Sequence, residues 1–141
     1  MGRACVSVTH SLTRMAAWPP GLSAWRDRLL GFDFSPLLRT AYQVEVANRG
    51  APPFVIAPQP GVKYMLLTHV PLQLAMNGGD AITRMIQGQV MQTAADMLWQ
   101  VSVDVTRLTM RVEEVSISAA GPIETLNLVF TIAEANAPQA R

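Results

Sequence analysis

Charged residues are scarce in this sequence and make up 15% of the chain. A typical soluble domain carries about 25%. Half of the residues are hydrophobic, so a free monomer would have few charges to keep its surface hydrated. The low charge therefore favours a chain that buries part of its surface against protein, either its own copies or other subunits. A monomer with an uncharged polar surface is the alternative.

Cysteine and histidine are also scarce. The single cysteine, Cys5, cannot form a disulfide within the chain, which excludes the disulfide-rich secreted class. The two histidines, His10 and His69, are far apart, so no group of residues has metal-ligand spacing and no nucleophile stands beside a base. We therefore predict no enzymatic activity, no metal and no cofactor. His69, close to Pro71 and among apolar residues, is predicted to be a hydrogen-bonded histidine at a strand edge.

Long apolar runs are missing as well. The longest uncharged stretch, residues 64–79, has 16 residues and contains a histidine and a proline. A membrane-spanning helix needs about 20 mostly apolar residues, so we expect no membrane contact. The net charge of +1 disfavours nucleic acid as a partner.

The first 26 residues contain three arginines and no acid. Polar residues interrupt any apolar core of a secretory signal there, so we expect no such signal. Arginine with serine and threonine is typical of a mitochondrial presequence, which is kept as an alternative localisation. Because Pro19-Pro20-Gly21 breaks regular structure, we predict an extended N-terminal arm over 1–21, a single α+β domain over 22–134 and a frayed tail over 135–141.

One main helix is predicted over 80–99. Apolar residues recur there at helical spacing along one stripe, after a turn in which Asp80 is expected to cap the helix. Gly88 lies inside it and costs about 1 kcal/mol relative to alanine unless a neighbour approaches closely. A short helix from Ser23 to Leu30, closed by Gly31, precedes it. Pro36, after Asp33 or Ser35, is expected to open another short turn.

Alternating patterns predict a mostly antiparallel sheet of about five or six strands. The candidate strands are Tyr42–Val46, Phe54–Ile56 between prolines as an edge strand or extended loop, a strand from Tyr64 that Pro71 places at an edge, and a hairpin that pairs Val112–Ser118 with 125–132. The alternation changes phase at Glu113-Glu114, which predicts a β-bulge.

Residues 100–118 fit two patterns. Val101, Val103 and Val105 alternate as in a strand, and their β-branched side chains agree with it. The same stretch also continues an apolar heptad from the main helix, so a coiled-coil helix over 80–118 is the alternative fold.

These features favour a non-catalytic structural subunit that assembles with its own copies or with other proteins, for example in a viral particle or a secretion apparatus. The alternative is a small-molecule-binding domain or small enzyme with an apolar pocket between helix and sheet, whose polar candidates are Tyr42, Tyr64, His69, Arg107 and Arg111. The candidate interface residues are Trp18, Trp25, Phe54, Met85, Met91, Arg107 and Arg111.

Overall fold

The computed structural model describes residues 22–75, 79–120 and 122–135. They form an α+β fold with several helices and one antiparallel sheet of three strands. The helices are α1 (Leu22–Gly31), α2 (Ser35–Arg49), α3 (Leu72–Ala75), α4 (Gly79–Met85) and α5 (Met91–Gln100), and the strands are β1 (Lys63–Pro71), β2 (Leu108–Ala120) and β3 (Ile123–Glu134). The predicted arm and most of the predicted tail lie outside the described residues, so the domain division stays a prediction.

The predicted α+β class is confirmed, but the strand Tyr42–Val46 is wrong. Those residues belong to α2, which begins at Ser35-Pro36 and ends before Gly50, whose φ is +86°. Leu38, Tyr42 and Glu45, at a spacing of four and then three, lie buried on one face. The five residues that alternate are therefore part of a 15-residue amphipathic helix. The helical pattern over the longer stretch determines the structure, not the short alternation.

The sheet has the order β1-β3-β2, with both pairs antiparallel. The predicted hairpin is confirmed, since Val115 lies opposite Leu128 and Ile117 opposite Leu126. The predicted bulge is confirmed too, because the register shifts between Val112 and Glu114. The strand count of five or six is wrong for the described residues, which contain three.

The predicted helix over 80–99 is present but is not one regular helix, nor the single main helix. It consists of α4, a five-residue π-helical segment (Ile86–Val90) and α5. Gly88 lies in the π segment, and apart from its own stretch of helix no atom of the described residues lies within 4 Å of where its Cβ would be. The glycine is therefore not required there by a close neighbour.

The coiled coil over 80–118 is wrong, and so is a strand at Val101–Val105. The helix ends at Gln100, and Ser102 turns the chain with a φ of +60°. A short 3-10 helix (Val105–Arg107) follows, and the Asp104 carboxylate accepts a hydrogen bond of 3.0 Å from the Thr106 N–H at its start. The left-handed residue breaks both the heptad and the strand.

The core lies against one face of the sheet. Four side chains of β3 are fully buried there, namely Leu126, Leu128, Phe130 and Ile132. They join one hydrophobic cluster with residues of α1, α2, α5 and β2. The ring of Phe34 packs edge-on against Phe130, with centroids 5.8 Å apart. The alternate residues of β3 are only half-buried, so the other face of the sheet is open among the described residues.

Candidate interaction surface

Strand β1 forms an edge of the sheet. It pairs with β3 from Lys63↔Ala133 to Pro71↔Thr125. Within the described part of the chain, no other segment forms backbone hydrogen bonds with β1. Its outer row of N–H and C=O groups is therefore available to another strand, in agreement with the edge position predicted from Pro71.

Two large apolar side chains are exposed on this edge strand. Met65 is 51% exposed and Leu67 is 62% exposed. They point to the open face of the sheet, whereas the alternate residues point towards the core and end with the buried Val70. Charge appears only at Lys63, where the strand begins. The centre of the edge thus offers an apolar, uncharged surface.

A row of hydrogen bonds crosses the open face beside these residues. The Asn127 amide nitrogen donates to the Ser118 hydroxyl at 2.9 Å, so the amide oxygen faces His69 Nδ1, 2.7 Å away. Nδ1 must then carry the proton, because an amide oxygen only accepts. The predicted hydrogen-bonded histidine at a strand edge is confirmed. His69 bonds to Asn127, and Asn127 bonds to the Ser118 hydroxyl, so the row links side chains of all three strands.

The segment before β1 also exposes apolar side chains. Phe54 is 63% exposed, and Val55 and Ile56 are exposed as well. The Ile56 N–H donates to the Ser102 carbonyl and the Asp104 N–H to the Ile56 carbonyl, both at 2.8 Å. This is the predicted extended loop, with a single parallel bridge from Ile56 to Val103. Two backbone hydrogen bonds thus hold the Phe54–Ile56 segment at the surface.

A cluster of charges joins α2 to α5. Arg49 donates to Glu45 at 2.8 Å and to Asp96 at 2.6 Å, and its guanidinium lies 4.0 Å from the ring centroid of Trp99. Hydrogen bonds from Arg49 and Gln100 lower the pKa of Asp96, and the bond to Asp96 raises the pKa of Arg49. The Asp96 carboxylate is held ionised beside the Arg49 guanidinium, and the hydrogen bonds of Arg49 to Glu45 and Asp96 tie the two helices together.

A pocket of about 360 Å³ lies between α1 and α4. Its wall includes the buried Trp25, whose Nε1 donates to the Thr83 hydroxyl at 3.3 Å. The other lining residues are Arg28, Leu29, Phe32, Phe34, Asp80 and Gln87. The pocket therefore lies between helices rather than between helix and sheet. The five predicted polar residues for a ligand site do not line it.

The structure separates the predicted interface residues. Trp25 and Met91 lie in the core, at 5% and 1% exposure, and Met85 is half-buried. Phe54, Arg107 and Arg111 are exposed, whereas Trp18 lies outside the described residues. The seven residues do not form one surface as a set, and their role as an interface stays a prediction.

Arg107 and Arg111, two of these predicted residues, lie in different secondary-structure elements. Arg107 belongs to the 3-10 helix, with a nitrogen 3.9 Å from a carboxylate oxygen of Glu134. Arg111 lies in β2, opposite Thr131. The 3-10 turn before β2 separates them.

Sequence reasoning missed Met65 and Leu67 as surface residues. Both were placed in a strand that Pro71 pushes to an edge, and they alternate with the residues that face the core. The alternation was visible in the sequence. An apolar residue of a strand is nevertheless predicted to be buried unless it is known which face of the sheet the helices cover.

The described residues contain no group of three or more metal-ligating side chains that could hold an ion. None of the helices in the described ranges is long and apolar enough to cross a membrane. Comparison with known proteins gave no match: no family model, no curated protein and no solved structure matches this chain.

Proposed function

We propose that this chain is a non-catalytic structural subunit of a homo-oligomer or larger complex, of the kind that builds a viral particle or a secretion apparatus. The observation that carries the proposal is the edge of β1, which no other described segment pairs with and which exposes Met65 and Leu67 at its centre.

Edge strands of soluble monomers are usually protected by inward charges, prolines, bulges or covering loops. In β1, Lys63 and Pro71 stand only at the two ends. The seven residues between them carry no acidic or basic side chain except His69. Such an edge invites pairing with a further strand, and the low charge of the whole chain supports the same role.

The Phe54–Ile56 segment and residues 1–21 have a place in this proposal. Exposed apolar residues near prolines suit contact with a neighbouring subunit, because prolines restrict the chain before it binds. We assign the predicted arm to the same contact. Removal of residues 1–20 is then expected to weaken assembly and to leave the fold intact, as judged by circular dichroism.

The direct test is the mass in solution, measured by light scattering behind a sizing column over a range of concentration. We expect a defined oligomer or a large particle for the natural chain and a shift towards monomer for Leu67→Lys. Ile123→Lys is the matched control. Ile123 is 61% exposed, but it lies outside the residues of β3 that pair with β1. A soluble monomer of 15.3 kDa at every concentration would contradict self-assembly.

The pocket between α1 and α4 supports a second function, binding of a small molecule. It combines aromatic walls with Arg28 and Asp80, and a few polar groups in an apolar cavity are typical of ligand sites. A rise in melting temperature with a compound from an aromatic library, lost in Thr83→Val, would support it. A flat response across the library would speak against it.

A further inference from the structure

We propose that two copies of this chain pair through β1, antiparallel, about a two-fold axis that passes beside Leu66, and so form one continuous sheet of six strands. This inference rests on the proposed self-assembly and adds its symmetry and register. The partner that fits the edge is a second copy, because the edge is complementary to itself.

The complementarity follows from the spacing of the exposed residues. In an antiparallel pair centred on Leu66, Met65 lies directly opposite Leu67 of the second copy, and Leu67 opposite Met65. Residues directly opposite each other on one face of a sheet have Cβ atoms about 4.5–5.5 Å apart. The two exposed large apolar side chains of the strand are therefore brought together twice, as one cluster of four.

Other registers lose this match. With the axis at Leu67, Met65 faces His69 of the second copy, whose imidazole is already hydrogen-bonded to Asn127. With the axis at Met65, Leu67 faces Lys63 of the second copy, so a charge stands against the more exposed of the two apolar side chains. Only the axis at Leu66 pairs both apolar residues with apolar residues.

The other face of the strand tolerates the same register. Tyr64 then lies opposite Thr68 of the second copy, and both side chains are half-buried in the single chain. An aromatic side chain opposite a β-branched one is a favourable cross-strand pair. The two buried faces join, so the hydrophobic layer continues across the axis.

The size of a stable interface also indicates that residues outside β1 take part in the dimer. A standard interface buries about 800 Å² on each partner, and two half-exposed side chains supply only part of that. We assign the remainder to the exposed apolar residues that precede β1 in the chain, Phe54, Val55, Ile56 and Val62. Removing them is expected to weaken the dimer without changing its register.

Cysteine cross-linking tests the register. In a Cys5→Ser chain, we prepare Met65→Cys and Leu67→Cys separately, with a tag on one of them. A disulfide needs Cβ atoms about 3.5–4.5 Å apart. Directly opposite residues, at about 4.5–5.5 Å, reach this range with a small shift, whereas diagonal neighbours, at about 7–8 Å, do not. We expect mild oxidation of the mixture to give the tagged heterodimer, at ten-fold or higher yield than the homodimer of either variant alone.

The failures are distinguishable. If Leu67→Cys alone cross-links efficiently, the axis lies at Leu67 and this register is wrong. If the natural chain is an oligomer by light scattering but no pair cross-links, the subunits meet elsewhere and only this inference fails. If cross-links form only after residues 1–20 are removed, the arm covers the edge and the inference is wrong. A monomer at all concentrations overturns both the inference and the proposed self-assembly.

Discussion

The hydroxyl of Ser35 accepts a hydrogen bond of 3.1 Å from the backbone N–H of Met110, 75 residues away in sequence. The same hydroxyl donates to the Asp33 carboxylate at 2.5 Å. The Phe34 N–H in turn donates to the Met110 carbonyl at 2.9 Å. The start of α2 thereby satisfies both backbone groups of a residue in β2, on the side of that strand away from β3.

This relationship predicts the effect of Ser35→Ala. The variant leaves the buried Met110 N–H without an acceptor, which costs about 1–3 kcal/mol. Urea unfolding at pH 7 should show this loss in the free energy of unfolding. Ser116→Ala, on the open face of β2, is the control and should change stability by less than about 0.5 kcal/mol. Equal values for the two variants would contradict a stabilising role for the Ser35 bond.

Asp33 predicts a dependence of stability on pH. Hydrogen bonds from the Ser35 hydroxyl and N–H hold the pKa of Asp33 below the usual aspartate value of 3.8. A carboxyl whose pKa is lower in the folded state stabilises the fold above its unfolded pKa, and this contribution is lost as the pH falls through the folded pKa. Relative to Asp33→Asn, the natural chain should therefore be more stable at pH 7, and the difference should shrink below pH 3.8.

The measurement for Asp33 is urea unfolding of both chains across that pH range. Asp27→Asn is a suitable control, because Asp27 is exposed and pairs only with its neighbour Arg26 in the described residues. A difference between the natural chain and Asp33→Asn that stays constant down to low pH would contradict the assignment.

Gly88 predicts a stabilising substitution. Space around it is open and its φ is not in the left-handed region, so Gly88→Ala should raise the free energy of unfolding by about 0.5–1 kcal/mol. Gly61 is the contrast, because its φ of +79° makes Gly61→Ala unfavourable by about 1–2 kcal/mol. Thermal unfolding of the two variants checks both signs. A less stable Gly88→Ala would mean that the π segment itself requires glycine.

Strand β3 predicts which face of the sheet matters for stability. Leu128 is fully buried, whereas its neighbour Val129 is half-buried on the open face. Leu128→Ala should cost about 2–5 kcal/mol, and Val129→Ala should cost clearly less. Denaturant unfolding of both variants measures the difference. If the two losses are similar, the open face is covered by something that the described residues do not include.

The local sequence was sufficient where one pattern had no competitor. The sequence predicted the hairpin, its bulge at Glu113-Glu114 and the edge position of β1. Strict alternation shows which side chains of a strand share a face, and a proline restricts the strand that contains it to an edge. The short helix α1 was predicted for the same reason, with Gly31 at its end.

Other elements needed the tertiary structure. Tyr42–Val46 alternates like a strand, but burial of Leu38, Tyr42 and Glu45 on one helical face decided for α2. Val101–Val105 also alternates, yet the left-handed Ser102 ended both competing patterns there. At Tyr42–Val46 the sequence fits two local structures and burial of one helical face selects the helix, whereas at Val101–Val105 neither of the two patterns is formed.

The candidate surface divides in the same way. The low charge and the edge position of β1 were both visible in the sequence, and together they predict that part of this chain's surface is poorly hydrated. Which apolar residues form that surface depends on where the helices cover the sheet. Alternation assigns Met65 and Leu66 to opposite faces, but only the packing of the helices against one face leaves Met65 and Leu67 exposed and buries the core row of β3.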